Sequence, residues 1–263
     1  MAWTSINGIR LYHLVHGHGP AVVFAHGAGG NHLSWWQQVP VFAERYRCVV
    51  FDHRAFGRST DEPEGPGRRS FADDLRALLD HLDIERAAIV AQSMGGRTAV
   101  GFSYRHPERV SALVLAGTTG GAVNDAVHAA QAEHRETPIG RKTLHQRAIS
   151  PRLRRERPDL AHLYRLIARL NPPRPKDFLA PIPGYRGSSA TFLSDLSVPI
   201  LFLAGAEDTI IPPRVMRLAH DAVPGSQYDE IADAGHSAYF EKADAFNARV
   251  LRFLEEAGWG QRG

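Results

Sequence analysis

The stretch "AAIVAQSMGGRTAVG", Ala87 to Gly101, decides how the rest of the chain is read. The run up to Gln92 reads as a buried strand, and the residues from Met94 onward read as a helix. Ser93 then falls in a tight strand-to-helix turn, which exposes its Oγ and aims the helix N-terminus at whatever reacts there. Small residues are needed two positions to either side, where strand and helix come almost into contact. Gly95 meets that need. Ala91 stands where the usual Gly-x-Ser-x-Gly pattern has glycine, and it adds only a methyl group. Taken alone, the stretch describes a nucleophile and a helix-opening serine equally well, so the decision rests on its partners.

Working outward, short β-rich runs alternate with helical stretches: "GIRLYHLV" (8–15), "AVVFAHG" (21–27), "RCVVFD" (47–52), "AAIVAQ" (87–92), "ALVLAG" (112–117), "PILFLAG" (199–205) and "SQYDEI" (226–231). The middle runs are continuously apolar, as strands covered on both faces are, which points to a parallel sheet. Residues 70–84 place Phe71, Leu75, Leu78, Leu79 and Leu82 along one helical face, with Ser70 as the expected N-cap. The alternation predicts one doubly wound α/β domain. It breaks between 121 and 193, where helical segments and the proline-punctuated "NPPRPKDFLAPIPGYRG" replace strands. The expectation is a core of residues 1–120 and 194–263 with a helical cap, 121–193, inserted between two late strands. Ligands of open α/β sheets bind at the carboxyl ends of the strands, so such an insertion is placed to act as a lid.

Three further stretches fall just after predicted strands. In "AHGAGGNHLSWW" (25–36), glycines let the loop turn its amides inward, where they can join the N–H of Met94 in binding an oxyanion. The loop lacks the Gly-Lys-Ser/Thr ending and the spacing of a phosphate loop. In "AGAEDTIIPP" (204–213), Asp208 is the candidate for orienting an imidazole, with Glu207 as the competing acid. Of 14 histidines, His236 alone sits in a Gly-His loop after the last predicted strand; His128, His134, His145 and His162 belong to the insertion. A base needs hydrogen-bond reach of the nucleophile, and its other ring nitrogen must be held by an acid. Serine, acid and histidine follow in that chain order, each on a loop after a strand.

On "HGAGGN" (26–31), "FDHRAFGRST" (51–60), "AQSMGG" (91–96), "GAEDTIIP" (205–212) and "AGHSAYFEKADAFN" (234–247), the sequence resembles the α/β-hydrolase superfamily, in its serine esterase branch with a helical lid. The resemblance spans about residues 8 to 254 apart from the insertion. It implies Ser93 as nucleophile, Asp208 as acid, His236 as base, and the N–H groups of Ala28 and Met94 as the oxyanion hole. Asp52, Arg54, Gly57 and Ser59 match a segment read as architecture near the site. Serine at 93 argues against the dehalogenase and epoxide hydrolase branches, whose nucleophile there is aspartate.

The expected reaction is cofactor-free and metal-free hydrolysis of a small-molecule carboxylic ester or lactone. Carbon–carbon bond hydrolysis and perhydrolysis use the same residues, and a ligand sensor with little turnover can be built on the same scaffold. Trp35, Trp36, Tyr164, Phe178, Tyr185 and Phe192 are candidate pocket walls. The formal net charge is +3, but residues 121–193 carry 13 Lys and Arg against 6 Asp and Glu, while the rest carries 18 against 22. The basic excess is therefore local, and no nucleic-acid-reading module accompanies it. The single cysteine, Cys48, lies in an apolar run and reads as a core thiol. With no secretory leader pattern and no apolar run long enough to span a bilayer, a cytoplasmic location away from membranes is expected.

Overall fold

In the computed structural model, residues 2–62, 65–174, 178 and 190–260 are described. Eight strands form one sheet: β1 (Trp3–Ile6), β2 (Ile9–His16), β3 (Ala21–Ala25), β4 (Arg47–Phe51), β5 (Ala87–Gln92), β6 (Val110–Ala116), β7 (Ile200–Gly205) and β8 (Gln227–Ile231). Their order is β1-β2-β4-β3-β5-β6-β7-β8. The β1–β2 and β2–β4 pairs are antiparallel and every other pair is parallel. From β3 the chain steps back to β4 on one side. From β5 it proceeds through β6, β7 and β8 on the other. The carboxyl ends of β3 and β5 therefore flank a topological switch point, where open α/β sheets form their ligand crevice.

The continuous apolar runs fold as such strands because both of their faces are covered. Every residue of β3, β5, β6 and β7 is buried. Along β5, Ala87, Ile89 and Ala91 face one apolar cluster, and Ala88 and Val90 face the other. The first cluster is closed by α2 (Phe71–His81), α3 (Met94–Arg105), α4 (Asp125–Glu136) and α9 (Pro213–Asp221). The second is closed by α1 (Val39–Phe42), α6 (Pro151–Glu156), α7 (Pro158–Arg169), α10 (Ala238–Glu241) and α11 (Ala243–Glu256). Two short helices, α5 (Leu144–Arg147) and α8 (Ala190–Asp195), complete the set. Cys48 is fully buried in the second cluster, and burial pushes its thiol pKa up to about 12.

The sheet has one strand that the sequence pattern did not announce. Trp3–Ile6 is short and half-buried, and it pairs with the first half of β2 in the register Trp3 to Tyr12. The expected helix over 70–84 is present, with Phe71, Leu75, Leu78 and Leu79 buried, but Ser70 does not cap it. A 3-10 turn over Gly67–Ser70 runs straight into α2, so Ser70 is already in a right-handed helical conformation and its side chain makes no capping bond. Between β6 and β7 the described residues hold α4 to α8 and no strand. No helix among the described residues is long and apolar enough to cross a membrane.

Candidate active site

Ser93 sits between β5 and α3 with φ of 51°, a left-handed conformation rare for a residue with a side chain. Its N–H donates to Ala116 O of the neighbouring strand at 3.0 Å, which helps hold the turn. Backbone strain of this kind persists only where surrounding structure fixes it. The demand for glycine at 95 is steric: a Cβ there would stand 2.2 Å from Ala25 O. Ala91, by contrast, is accommodated fully buried in the core.

The other predicted residues converge on this turn. His236 Nε2 lies 2.9 Å from Ser93 Oγ, and His236 Nδ1 lies 2.8 Å from Asp208 Oδ2. A carboxylate only accepts, so Nδ1 carries the proton and Nε2 is free to accept from the serine hydroxyl. Asp208 Oδ1 accepts from the N–H groups of Ile210 (2.7 Å) and Ile211 (3.0 Å), which fixes the carboxylate's orientation. Asp208 and His236 are 3% and 6% exposed. Glu207, the competing acid, instead accepts from Arg152 Nε and Nη2 at 3.1 and 2.9 Å.

Ala28 and Met94 flank the serine from the β3 loop and the first turn of α3. Neither backbone N–H has an acceptor among the described residues. The β3 loop is braced from beneath by two buried imidazoles. His26 donates through Nδ1 to Gly27 O at 2.8 Å and accepts at Nε2 from the His53 N–H at 3.0 Å. The His53 ring lies 3.0 Å from His26 Nε2 and, at its other nitrogen, 3.0 Å from Thr98 Oγ1 on α3. Burial lowers the His26 pKa to about 4 and holds that of His53 well below the usual range, so both are neutral near pH 7. Asp52 accepts from the N–H groups of His32 (2.6 Å) and Arg58 (2.8 Å), while Arg54 forms a buried fork with Asp74. These residues act as framework.

A cavity of about 210 Å³ opens over Ser93 and His236. Leu144, Ala148, Ala168 and Ile210 make it largely apolar, with His145 and Tyr164 as polar contributors. Of the six aromatic residues expected in its wall, Tyr164 is there. Trp35 is instead fully buried against Phe24 and Tyr239. Trp36 lies outside the lining and is 42% exposed. Phe178 packs on Phe56 and Phe71, and Phe192 packs on Tyr104. Tyr185 lies outside the described residues. Aromatic content marks residues able to wall a pocket, but tertiary packing sent most of these to other partners.

Sequence reasoning missed several contributors. His145 passed as an ordinary histidine of the insertion. Glu241, itself nearly buried, accepts from Ser150 N at 3.2 Å. Burial raises its pKa despite that contact. Its position five residues after His236 was the available signal. Ties also run from the segment between β6 and β7 to the loops that follow β3, β4, β7 and β8. Arg152 bridges Glu207 and Asp233 (2.9 and 3.2 Å), and Thr209 O accepts from His134 and Arg147 at 2.6 and 2.5 Å. Asn171 contacts Gly57 N at 2.8 Å and Gly29 O at 3.2 Å. Asn31 Nδ2 donates to Ile167 O at 2.9 Å. Among the described residues no cluster of His, Cys, Asp and Glu could hold a metal ion.

Comparisons with known proteins agree with this architecture. A 2-hydroxy-6-oxononadienedioate/2-hydroxy-6-oxononatrienedioate hydrolase of Burkholderia vietnamiensis is 32% identical, over 89% of this chain and 86% of its own. The solved structure of Est816, described as an N-acyl homoserine lactone degrading enzyme, superposes with a TM-score of 0.79 at 29% identity, covering 95% of this chain and 99% of its own. A thermophilic esterase from Thermogutta terrifontis superposes with a TM-score of 0.80 at 26% identity, covering 97% of each chain. Residues 20–243 match the family described as alpha/beta hydrolase fold, and the chain belongs to that family of hydrolases.

Proposed function

We propose that the protein is a serine hydrolase that cleaves a carboxylic ester or lactone of a small to medium, partly hydrophobic molecule. The observation that carries this reading is the unbroken path from Asp208 through His236 to Ser93 Oγ, opening into a cavity beside two N–H groups with no acceptor among the described residues. His236 Nε2 takes the serine proton as Oγ attacks the carbonyl carbon. Asp208 holds the ring in the productive tautomer and stabilises the imidazolium that forms. The N–H groups of Ala28 and Met94 receive the oxyanion, each such donor being worth about 3–4 kcal/mol in the transition state. Collapse expels the alcohol, which takes its proton from His236. Water, deprotonated by the same nitrogen, then attacks the acyl-serine and releases the acid. Side chains and water complete every step. Residues 121–193 act as the cap over a core of 1–120 and 194–263, and Tyr164 with the apolar wall selects the substrate.

A second reading, hydrolysis of a carbon–carbon bond in a ring-cleavage product, draws support from the Burkholderia relative and from a phenol and an imidazole in the cavity wall. A p-nitrophenyl ester series tests the first reading. Turnover that falls by about three orders of magnitude or more in Ser93→Ala supports it. Silence toward every acyl length, with loss of dienol absorbance from a 2-hydroxy-6-oxo-dienoate, transfers the assignment to the second reading. Silence toward both substrate classes would leave a ligand-sensing role and refute hydrolysis.

A further inference from the structure

The N–H of Ala28 can serve an oxyanion only if its loop is held still, and the local sequence works against that. Gly27, Gly29 and Gly30 surround Ala28, and glycine leaves the backbone its widest freedom. Three consecutive carbonyls nevertheless have fixed partners. Gly27 O accepts from His26 Nδ1 and from the Gly30 N–H. Ala28 O accepts from Arg174 Nη2 at 3.4 Å, and Gly29 O accepts from Asn171 Nδ2 at 3.2 Å. The last two partners come from the segment between β6 and β7.

Arg174 is set firmly in this place. Pro172 and Pro173 precede it and restrict the backbone that presents it. Its Nη1 donates to Ala55 O at 3.2 Å, so one guanidinium ties the loop after β3 to the loop after β4. The guanidinium carbon lies 3.8 Å from the Phe56 ring centroid and 5.8 Å from that of Phe178, within cation–π range. Phe56 and Phe178 belong to a small apolar cluster that also holds Ala28 and Met94, the two residues assigned to the oxyanion hole. The Phe56 ring packs in turn on His26 at 5.1 Å, the imidazole that holds Gly27 O. Burial lowers the pKa of Arg174, but an arginine stays charged near pH 7. We propose that Arg174 is a positioning residue of the oxyanion hole. It holds the Ala28 carbonyl, so that the N–H of the same residue stays aimed where the oxyanion forms, and it sets a fixed positive charge beside that loop. The inference rests on the serine hydrolase reading and gives the segment between β6 and β7 a part in the chemical step as well as in the choice of substrate.

The assay is p-nitrophenyl ester turnover, together with inhibition by an alkyl trifluoromethyl ketone, whose adduct on Ser93 carries an oxyanion. Arg174→Met keeps an apolar stem and removes the donors and the charge. Its kcat is expected to fall about 10–100-fold, with KM within about twofold of wild type. Ketone affinity is expected to fall by the same factor as kcat/KM, because both depend on binding the oxyanion. Arg174→Lys restores the charge and a donor, and is expected to lie between Arg174→Met and wild type in both readouts. A residue that only docked the segment would instead lower the melting temperature, or raise KM, with kcat unchanged. That pattern in either folded variant would overturn the proposal, and so would ketone affinity that does not follow kcat/KM. Loss of the fold in both variants would assign Arg174 to stability alone and overturn it too. Wild-type protein that neither turns over an ester nor takes up the ketone would overturn the hydrolase reading itself, and this inference with it.

Discussion

Replacing Gly95 by alanine sets two opposed effects against each other within one helix. Helix propensity alone favours alanine by about 1 kcal/mol. Against it, the added Cβ would lie 2.2 Å from Ala25 O and 2.7 Å from the Ala25 carbonyl carbon. Both are backbone atoms of β3, so no side-chain rotation relieves the contact. Real Cβ atoms keep at least 3.0 Å from such neighbours, so α3 must retreat by about 0.8 Å. Overpacking of this kind costs about 1–3 kcal/mol, more where the opposing atoms are rigid. Gly101 is the control, since a Cβ there finds only Ala72 Cβ at 3.5 Å, an ordinary contact. Gly101→Ala should therefore stabilise by about 0.4–1 kcal/mol, and Gly95→Ala should fall about 2–3 kcal/mol below it in urea unfolding. Ser93 rides on the displaced turn, so ester turnover by Gly95→Ala should drop about 10²-fold, the usual result of a misplacement near 1 Å. Equal stability of the two variants, or full activity in Gly95→Ala, would refute the close approach of α3 to β3.

Acid should destabilise the fold through the buried imidazoles. The folded pKa of His26, about 4, lies below an unfolded value near 6.5. The unfolded chain therefore binds more protons across that window, and stability falls as pH drops from about 6.5 to 4, by up to about 3 kcal/mol from His26, with His53 acting in the same direction. Urea unfolding at a series of pH values reads the slope, and an unchanged slope in His26→Gln would exclude this source. Asp208→Asn should leave the fold intact but lower kcat by about 10⁴, because the Asn amide no longer favours the tautomer in which Nε2 accepts from Ser93; steady-state ester kinetics decide it. Glu241→Gln replaces a nearly buried carboxylate that accepts from the Ser150 N–H, and should cost about 1–3 kcal/mol. A melt unchanged from wild type would count against that anchor. Cys48 should ignore a thiol reagent until the protein unfolds, as its burial and raised pKa require; rapid native-state labelling would contradict the packing.

The sheet was legible where burial is two-sided. Ala87–Gln92 matches its predicted bounds residue for residue, and the neighbouring core strands match within two residues. A strand covered on both faces must be apolar throughout, and that signal survives in any single sequence. Trp3–Ile6 was invisible for the converse reason. It is a four-residue edge strand with one buried position, and its place depends on pairing with β2. Ser93, Asp208 and His236 were legible because each follows a recognisable strand, so topology alone brings them to one edge. The cavity wall was not. Leu144, His145, Ala148 and Ala168 come from helices whose docking depends on long-range bonds such as Asn171 to Gly29, which no local pattern encodes.

Those long-range bonds bear on how this protein could be re-engineered or could have diverged. The segment between β6 and β7 is fastened at Glu207, Thr209, Asp233 and Glu241 on the Asp208–His236 side, and at Gly29, Asn31 and Gly57 on the other. A transplanted segment without Arg152, Asn171 and their companions would leave Glu207 and the β3 loop without their partners. Under the proposed function, specificity would be inherited here as a matched set of helices and receiving loops. A functional chimera has to exchange both halves of that set together.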